Sequence, residues 1–80
     1  MQVQLLVTHT DFCIHNLERE LDNVGIQYQI DYIEDNPKQV NAYHIRHSPN
    51  IFIQGKLIFR YQPSPAELKI LLEKESLYQG

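Results

Sequence analysis

The stretch SPNIFIQGKLIF, residues 48–59, decides how this chain is read. Two apolar triplets, Ile51-Phe52-Ile53 and Leu57-Ile58-Phe59, flank the turn pair Gln54-Gly55. So short a gap folds the two runs back on each other as an antiparallel hairpin. Toward the C-terminus, Ser64-Pro65-Ala66-Glu67 supplies an N-cap, a proline at the first helical position and a glutamate at the third, which together form a capping box. Leu68, Ile70, Leu71 and Leu72 give that last helix an apolar side, and the polar tail from Glu75 is expected to fray.

Toward the N-terminus, Asn36-Pro37-Lys38-Gln39 opens a short helix running to about Tyr43. Asn36 is placed as the cap and Gln39 within reach of it. From Gly25 the apolar period is two, with Ile26, Tyr28, Ile30 and Tyr32 alternating with Gln27, Gln29 and Asp31, a strand pattern. Before it, Cys13 or Ile14, Leu17, Leu21 and Val24 form a helical stripe that stops at Gly25, while Glu18, Arg19, Glu20 and Asp22 occupy the solvated faces. Val3, Leu5 and Val7, with Leu6 between them, read as a mostly buried first strand. The order is β-α-β-α-β-β-α. Strands joined through a helix run parallel with a right-handed crossover, so the pattern predicts one α/β domain spanning residues 1–80, with a four-stranded mixed sheet and helices on both faces.

Eighty residues, 42% of them hydrophobic, suit one small globule and not a disordered segment. The net charge of −3 comes from scattered carboxylates. No basic stripe interleaved with aromatics is present, which argues against nucleic acid as a partner. No apolar run approaches membrane-spanning length, and Met1 leads into a strand pattern without a signal peptide. One cysteine cannot form an internal disulfide, so the expected compartment is the cytoplasm.

In this element order, Ser48-Pro49-Asn50-Ile51-Phe52-Ile53-Gln54-Gly55-Lys56 resembles the Thr/Ser/Val-Pro-Thr-x-x-Ile-x-Gly-Lys segment of the thioredoxin-fold superfamily, glutaredoxin-like type. The spacing of Pro-Ser-Pro-x-Glu-Leu at 63–68 is also similar to that family, and the resemblance extends over about Val3 to Lys74. It implies a thioredoxin-like fold, a cis bond at Pro49 facing the active site, and thiol–disulfide chemistry where the first strand meets the first helix. The family carries Cys-x-x-Cys or Cys-x-x-Ser there. This chain reads Thr10-Asp11-Phe12-Cys13, a degenerate form with one thiol. Setting Cys13 on the family's second cysteine puts Thr10 at the nucleophile position; anchoring on Gly25 instead puts Asp11 and Ile14 at the two positions. The glycine-rich segment that glutaredoxins place near glutathione has no counterpart, since Phe59 is followed by Arg60-Tyr61-Gln62-Pro63, so no cofactor is assigned and glutathione has no support.

The resemblance makes Cys13 and Thr10 the candidate catalytic pair, with Phe12, His47, Ser48 and Pro49 as a substrate groove for a thiol- or disulfide-bearing protein or a small thiol. A thiol reacts as thiolate, which a helix N-terminus and a neighbouring imidazolium (His47, His9 or His15) favour and a carboxylate at Asp11 opposes. The alternative is a buried, inert thiol, because Cys13 shares one helical face with Leu17, Leu21 and Val24. Two functional classes therefore stand side by side: a thiol–disulfide oxidoreductase working through one cysteine, and a redox-inactive binding module that has kept the fold and lost the dithiol. Zinc is the weaker idea. Cys13-x-His15, His44-x-x-His47 and His9 match no known ligand spacing and lack a second cysteine, so no metal is assigned. Tyr43 and Tyr61 are placed with Phe12 in the groove, or else in core or rim.

Overall fold

The computed structural model describes the backbone of residues 2–11 and 14–79, and within the last helix the side chains of 65–71 and 73. Four strands, β1 (Val3–Val7), β2 (Gln29–Tyr32), β3 (Asn50–Ile53) and β4 (Lys56–Phe59), form one sheet in the order β2-β1-β3-β4. β1 and β2 are parallel, with Leu5 opposite Ile30, while β3 is antiparallel to β1, with Leu5 opposite Ile51, and β4 is antiparallel to β3. Three helices complete the chain: α1 (Ile14–Asn23), α2 (Pro37–Tyr43), preceded by a 3₁₀ turn at Ile33–Asp35, and α3 (Pro65–Gln79). This is a small α/β protein with a mixed open sheet.

The β3–β4 turn is the two-residue type the short gap requires: Gln54 and Gly55 both have positive φ, at 54° and 79°, which suits the right-handed twist of the flanking strands. β4 carries a bulge. Phe52 pairs with Leu57 but Ile51 pairs with Phe59, so Ile58 is the extra residue. The bulge resets the side-chain alternation, and Leu57 and Phe59 pack on opposite faces although they are two residues apart.

Those two faces are unequal. On one, Val3, Leu5, Val7, Ile51 and Ile53 of the sheet bury against Leu17 and Leu21 of α1 and Leu68 of α3. On the other, Leu6, Phe52 and Ile45 are the buried hydrophobic residues among those described, with Val40 of α2, Ile33 and Leu57 packed around them. α2 ends in a left-handed residue, His44 (φ 54°), and the Ile45 N–H donates back to the Val40 carbonyl at 2.9 Å. The same pair packs side chain to side chain, as this type of helix ending favours.

Several sequence expectations need correction. Val24 is 46% exposed and lies off the core face. α1 stops at Asn23 and Gly25 takes positive φ, so the ending is closed by Ile26, whose N–H donates to the Leu21 carbonyl and whose side chain joins the core. β2 starts at Gln29 rather than just after Gly25, because only residues 29–32 find partners on β1. Asn36 makes no side-chain cap to α2; its amide donates to the Tyr32 carbonyl at 2.8 Å, drawn there by the 3₁₀ turn, and Gln39 bonds Gln4 instead of the cap. Ile70 is 55% exposed, so the buried side of α3 is Leu68 with Leu71; the Leu72 side chain lies outside those described. α3 extends from Pro65 to Gln79, and its last residues, 75–79, are free of glycine and proline. The Ser64–Glu67 capping box forms in both directions, each bond 3.2 Å.

Candidate functional site

Residues 8–11, directly after β1, turn sharply. The Asp11 N–H donates to the Thr8 carbonyl at 3.2 Å, and the Ile14 N–H donates to the Asp11 carbonyl at 3.4 Å. This turn is tied to the segment before β3. The Ser48 hydroxyl accepts from the Thr8 N–H at 3.2 Å and donates to the Asp11 carboxylate, so one hydroxyl joins both ends of the turn. Pro49, which follows, is buried, and the Ser48–Pro49 peptide bond is cis.

Asn50 fixes this segment from below. It is 1% exposed, yet its amide donates to the Leu6 carbonyl at 3.2 Å and to the His47 carbonyl at 2.6 Å. A buried amide is tolerated only when so bonded, and here it couples strand β1 to the loop that carries Ser48 and Pro49. The sequence offered a faint signal for it, a polar residue opening an otherwise apolar strand.

Of the candidates named from sequence, Ser48 and Pro49 come together with the β1–α1 turn. Thr10 sits exposed within that turn, and His47 is exposed with only its backbone carbonyl held. Phe12 and Cys13 lie outside the described residues. No protein-family model, curated protein or solved structure matches the chain. The site therefore rests on its own geometry.

The histidines expected near the thiol have other partners. The His9 ring stacks on Tyr32 with centroids 3.8 Å apart, its Nε2 lies 3.5 Å from an Asp35 oxygen, and its backbone N–H donates to Glu34 at 3.0 Å. That last bond holds the Glu34 carboxyl below its ordinary range. His15 sits 3.7 Å from Glu18 on α1. Among the described residues, no three histidines or carboxylates converge as a metal site would require. Tyr43 and Tyr61 do not join the Ser48–Pro49 region; they border a separate concavity along β4. Among the described residues, no helix is long and apolar enough to cross a membrane.

Proposed function

We propose that this chain is a thioredoxin-like domain of glutaredoxin-like size, acting in the cytoplasm in thiol–disulfide exchange through Cys13. The sheet order β2-β1-β3-β4, with α1 and α3 against one face and α2 against the other, supports the fold assignment. The observation that carries the functional reading is the bridge from Thr8 and Asp11 to Ser48. It brings the segment leading to Cys13 beside Pro49, where a disulfide-bearing peptide would lie. α1 begins at Ile14, directly after Cys13 in sequence, so the positive end of its dipole favours a thiolate at that point of the chain.

In this reading the Cys13 thiolate attacks one sulfur of a protein or small-molecule disulfide. A mixed disulfide forms with Cys13 and the other sulfur departs as thiolate. With one cysteine in the chain, a second external thiol must attack the mixed disulfide and release Cys13. Thr10 and Phe12 are the thiol's neighbours in sequence, and His47, Ser48 and Pro49 are the residues assigned to the groove. Glutathione is one thiol able to resolve the intermediate.

A redox-inactive binding module is the second reading, and Asp11 favours it. A carboxylate two residues from the thiol and bonded to Ser48 opposes thiolate formation there. The discriminating experiment follows Cys13 alkylation across pH in the folded protein and looks by mass for a mixed disulfide with an added disulfide. Alkylation well below the ordinary thiol range, with a mixed disulfide, supports exchange. A thiol inert until unfolding supports the module.

A further inference from the structure

Along the outer side of β4 runs an open concavity of about 640 Å³ bordered by Tyr43, Lys56, Leu57, Ile58, Arg60 and Tyr61. β4 is an edge strand, paired with β3 on one side only. Five large hydrophobic side chains are exposed among the described residues, and three of them, Tyr43, Ile58 and Tyr61, border this one groove. Singly scattered apolar residues need no explanation, whereas a cluster in a concavity marks an interaction surface. Ile58 is there because of the bulge, which leaves it unpaired and 40% exposed.

The groove also contrasts in charge with the chain as a whole. The chain carries −3 overall, yet the border holds two cations, Lys56 and Arg60, and no carboxylate. Arg60 is held in place by donating to the carbonyls of Tyr43 at 3.0 Å and His44 at 3.4 Å, so its charge stays beside the groove. At the Tyr61 end, the phenol donates to Glu67 at 2.8 Å. A basic, aromatic-lined depression on an acidic protein complements a ligand that is acidic and apolar together.

We propose that this groove docks an acidic peptide segment carrying a large apolar side chain, with that side chain between Tyr43 and Tyr61 over Ile58 and the carboxylates on Lys56 and Arg60. The site is separate from the Ser48–Pro49 region and stands whether or not Cys13 is reactive. Strand addition to β4 is disfavoured because the bulge interrupts the row of backbone groups that an added strand needs. Antiparallel pairing of two copies of β4 is disfavoured as well, since it would bring Lys56 of one chain near Arg60 of the other.

The test titrates isotope-labelled protein with the peptide Asp-Glu-Phe-Glu-Leu-Asp and, separately, with its charge-inverted form Lys-Lys-Phe-Lys-Leu-Lys, following amide chemical shifts. The expected result is saturable binding of the acidic peptide, with shifts centred on Tyr43 and residues 56–61, that weakens as salt rises. Lys56→Glu should weaken it about tenfold, a typical size for losing a facing charge and gaining a repulsive one. Ile58→Ser, which leaves the cations in place, should also weaken it. Should Lys56→Glu fail to fold, the charge-inverted peptide and the salt series decide. Equal binding of the basic peptide, shifts centred elsewhere, or no saturation would overturn the proposal. So would concentration-dependent shifts at the same residues without peptide, which would assign the groove to a second copy of the chain.

Discussion

The Ser48 hydroxyl donates to the Asp11 carboxylate across 37 positions of sequence, and this bond joins the turn before α1 to the loop before β3. Two segments far apart in sequence are thereby held as one surface. Asp11 also sits two residues from the single thiol. Replacing Asp11 by asparagine keeps an acceptor for Ser48 and removes the negative charge. Under the exchange reading, Asp11→Asn should speed Cys13 alkylation at neutral pH several-fold, because a carboxylate nearby disfavours thiolate. An unchanged rate would place the thiol beyond the reach of that charge.

Asn50 is the polar residue most firmly held in the apolar layer. Asn50→Ala leaves the Leu6 and His47 carbonyls without their amide partner and opens a small void. The expected loss is about 2 kcal/mol by denaturant unfolding, since orphaning buried acceptors costs more than an average hydrogen bond gains. Asn50→Asp should be worse at neutral pH, where its carboxylate would meet two carbonyl oxygens at 1% exposure. A loss no larger than at an exposed site would show that the loop is anchored elsewhere.

Gln54 occupies a left-handed conformation, φ 54°, that a glutamine side chain tolerates poorly. Asparagine enters that region readily, and Asn-Gly is the preferred pair for such a turn. Gln54→Asn should therefore stabilise the protein by about 0.5 kcal/mol, whereas Gly55→Ala should destabilise it, because φ there is 79°. Thermal unfolding of the two variants gives both signs.

Tyr28 should titrate far above its ordinary value of 10.0, pushed up to about 12 chiefly by burial and further by its 3.1 Å hydrogen bond to Glu18. A raised folded-state value stabilises the fold fully below the unfolded pKa. That contribution fades as pH climbs from 10.0 toward about 12. Ultraviolet titration of phenolate should show Tyr28 titrating late, alongside Tyr61, which its hydrogen bond to Glu67 also pushes up. Glu18→Gln should move Tyr28 only part of the way back, since burial, the larger cause, remains. A full return would make Glu18 the dominant cause.

The sequence revealed whatever depended on neighbours in the chain. The hairpin followed from two apolar triplets around Gln54-Gly55, and the α3 capping box from Ser64 and Glu67. Features decided by distant partners were illegible. Asn36 looks like a cap, but the Tyr32 carbonyl competes for its amide. Val24 fits a helical stripe, but the helix ends one residue earlier. At the candidate site, Ser48 and Pro49 were readable from a motif, whereas the bond to Asp11 and the anchoring role of Asn50 exist only once β1 and β3 pair. The bulge that turns Ile58 out toward the groove leaves no mark in KLIF itself.

The unequal division of the hydrophobic core has a consequence for how the molecule breathes. Among the described residues, the core face carrying α1 and α3 holds eight buried side chains and the face under α2 three, so α2 is the element expected to let go first. Native-state hydrogen exchange should find the α2 amides opening at a lower free energy than those of α1, and matched protection in the two helices would contradict this. Such an opening would run forward along the chain from His44 and stop at Asn50, whose grip on the Leu6 carbonyl belongs to the part that stays closed. Ser48 and Pro49 would then lie on the seam between the part that opens and the part that stays closed.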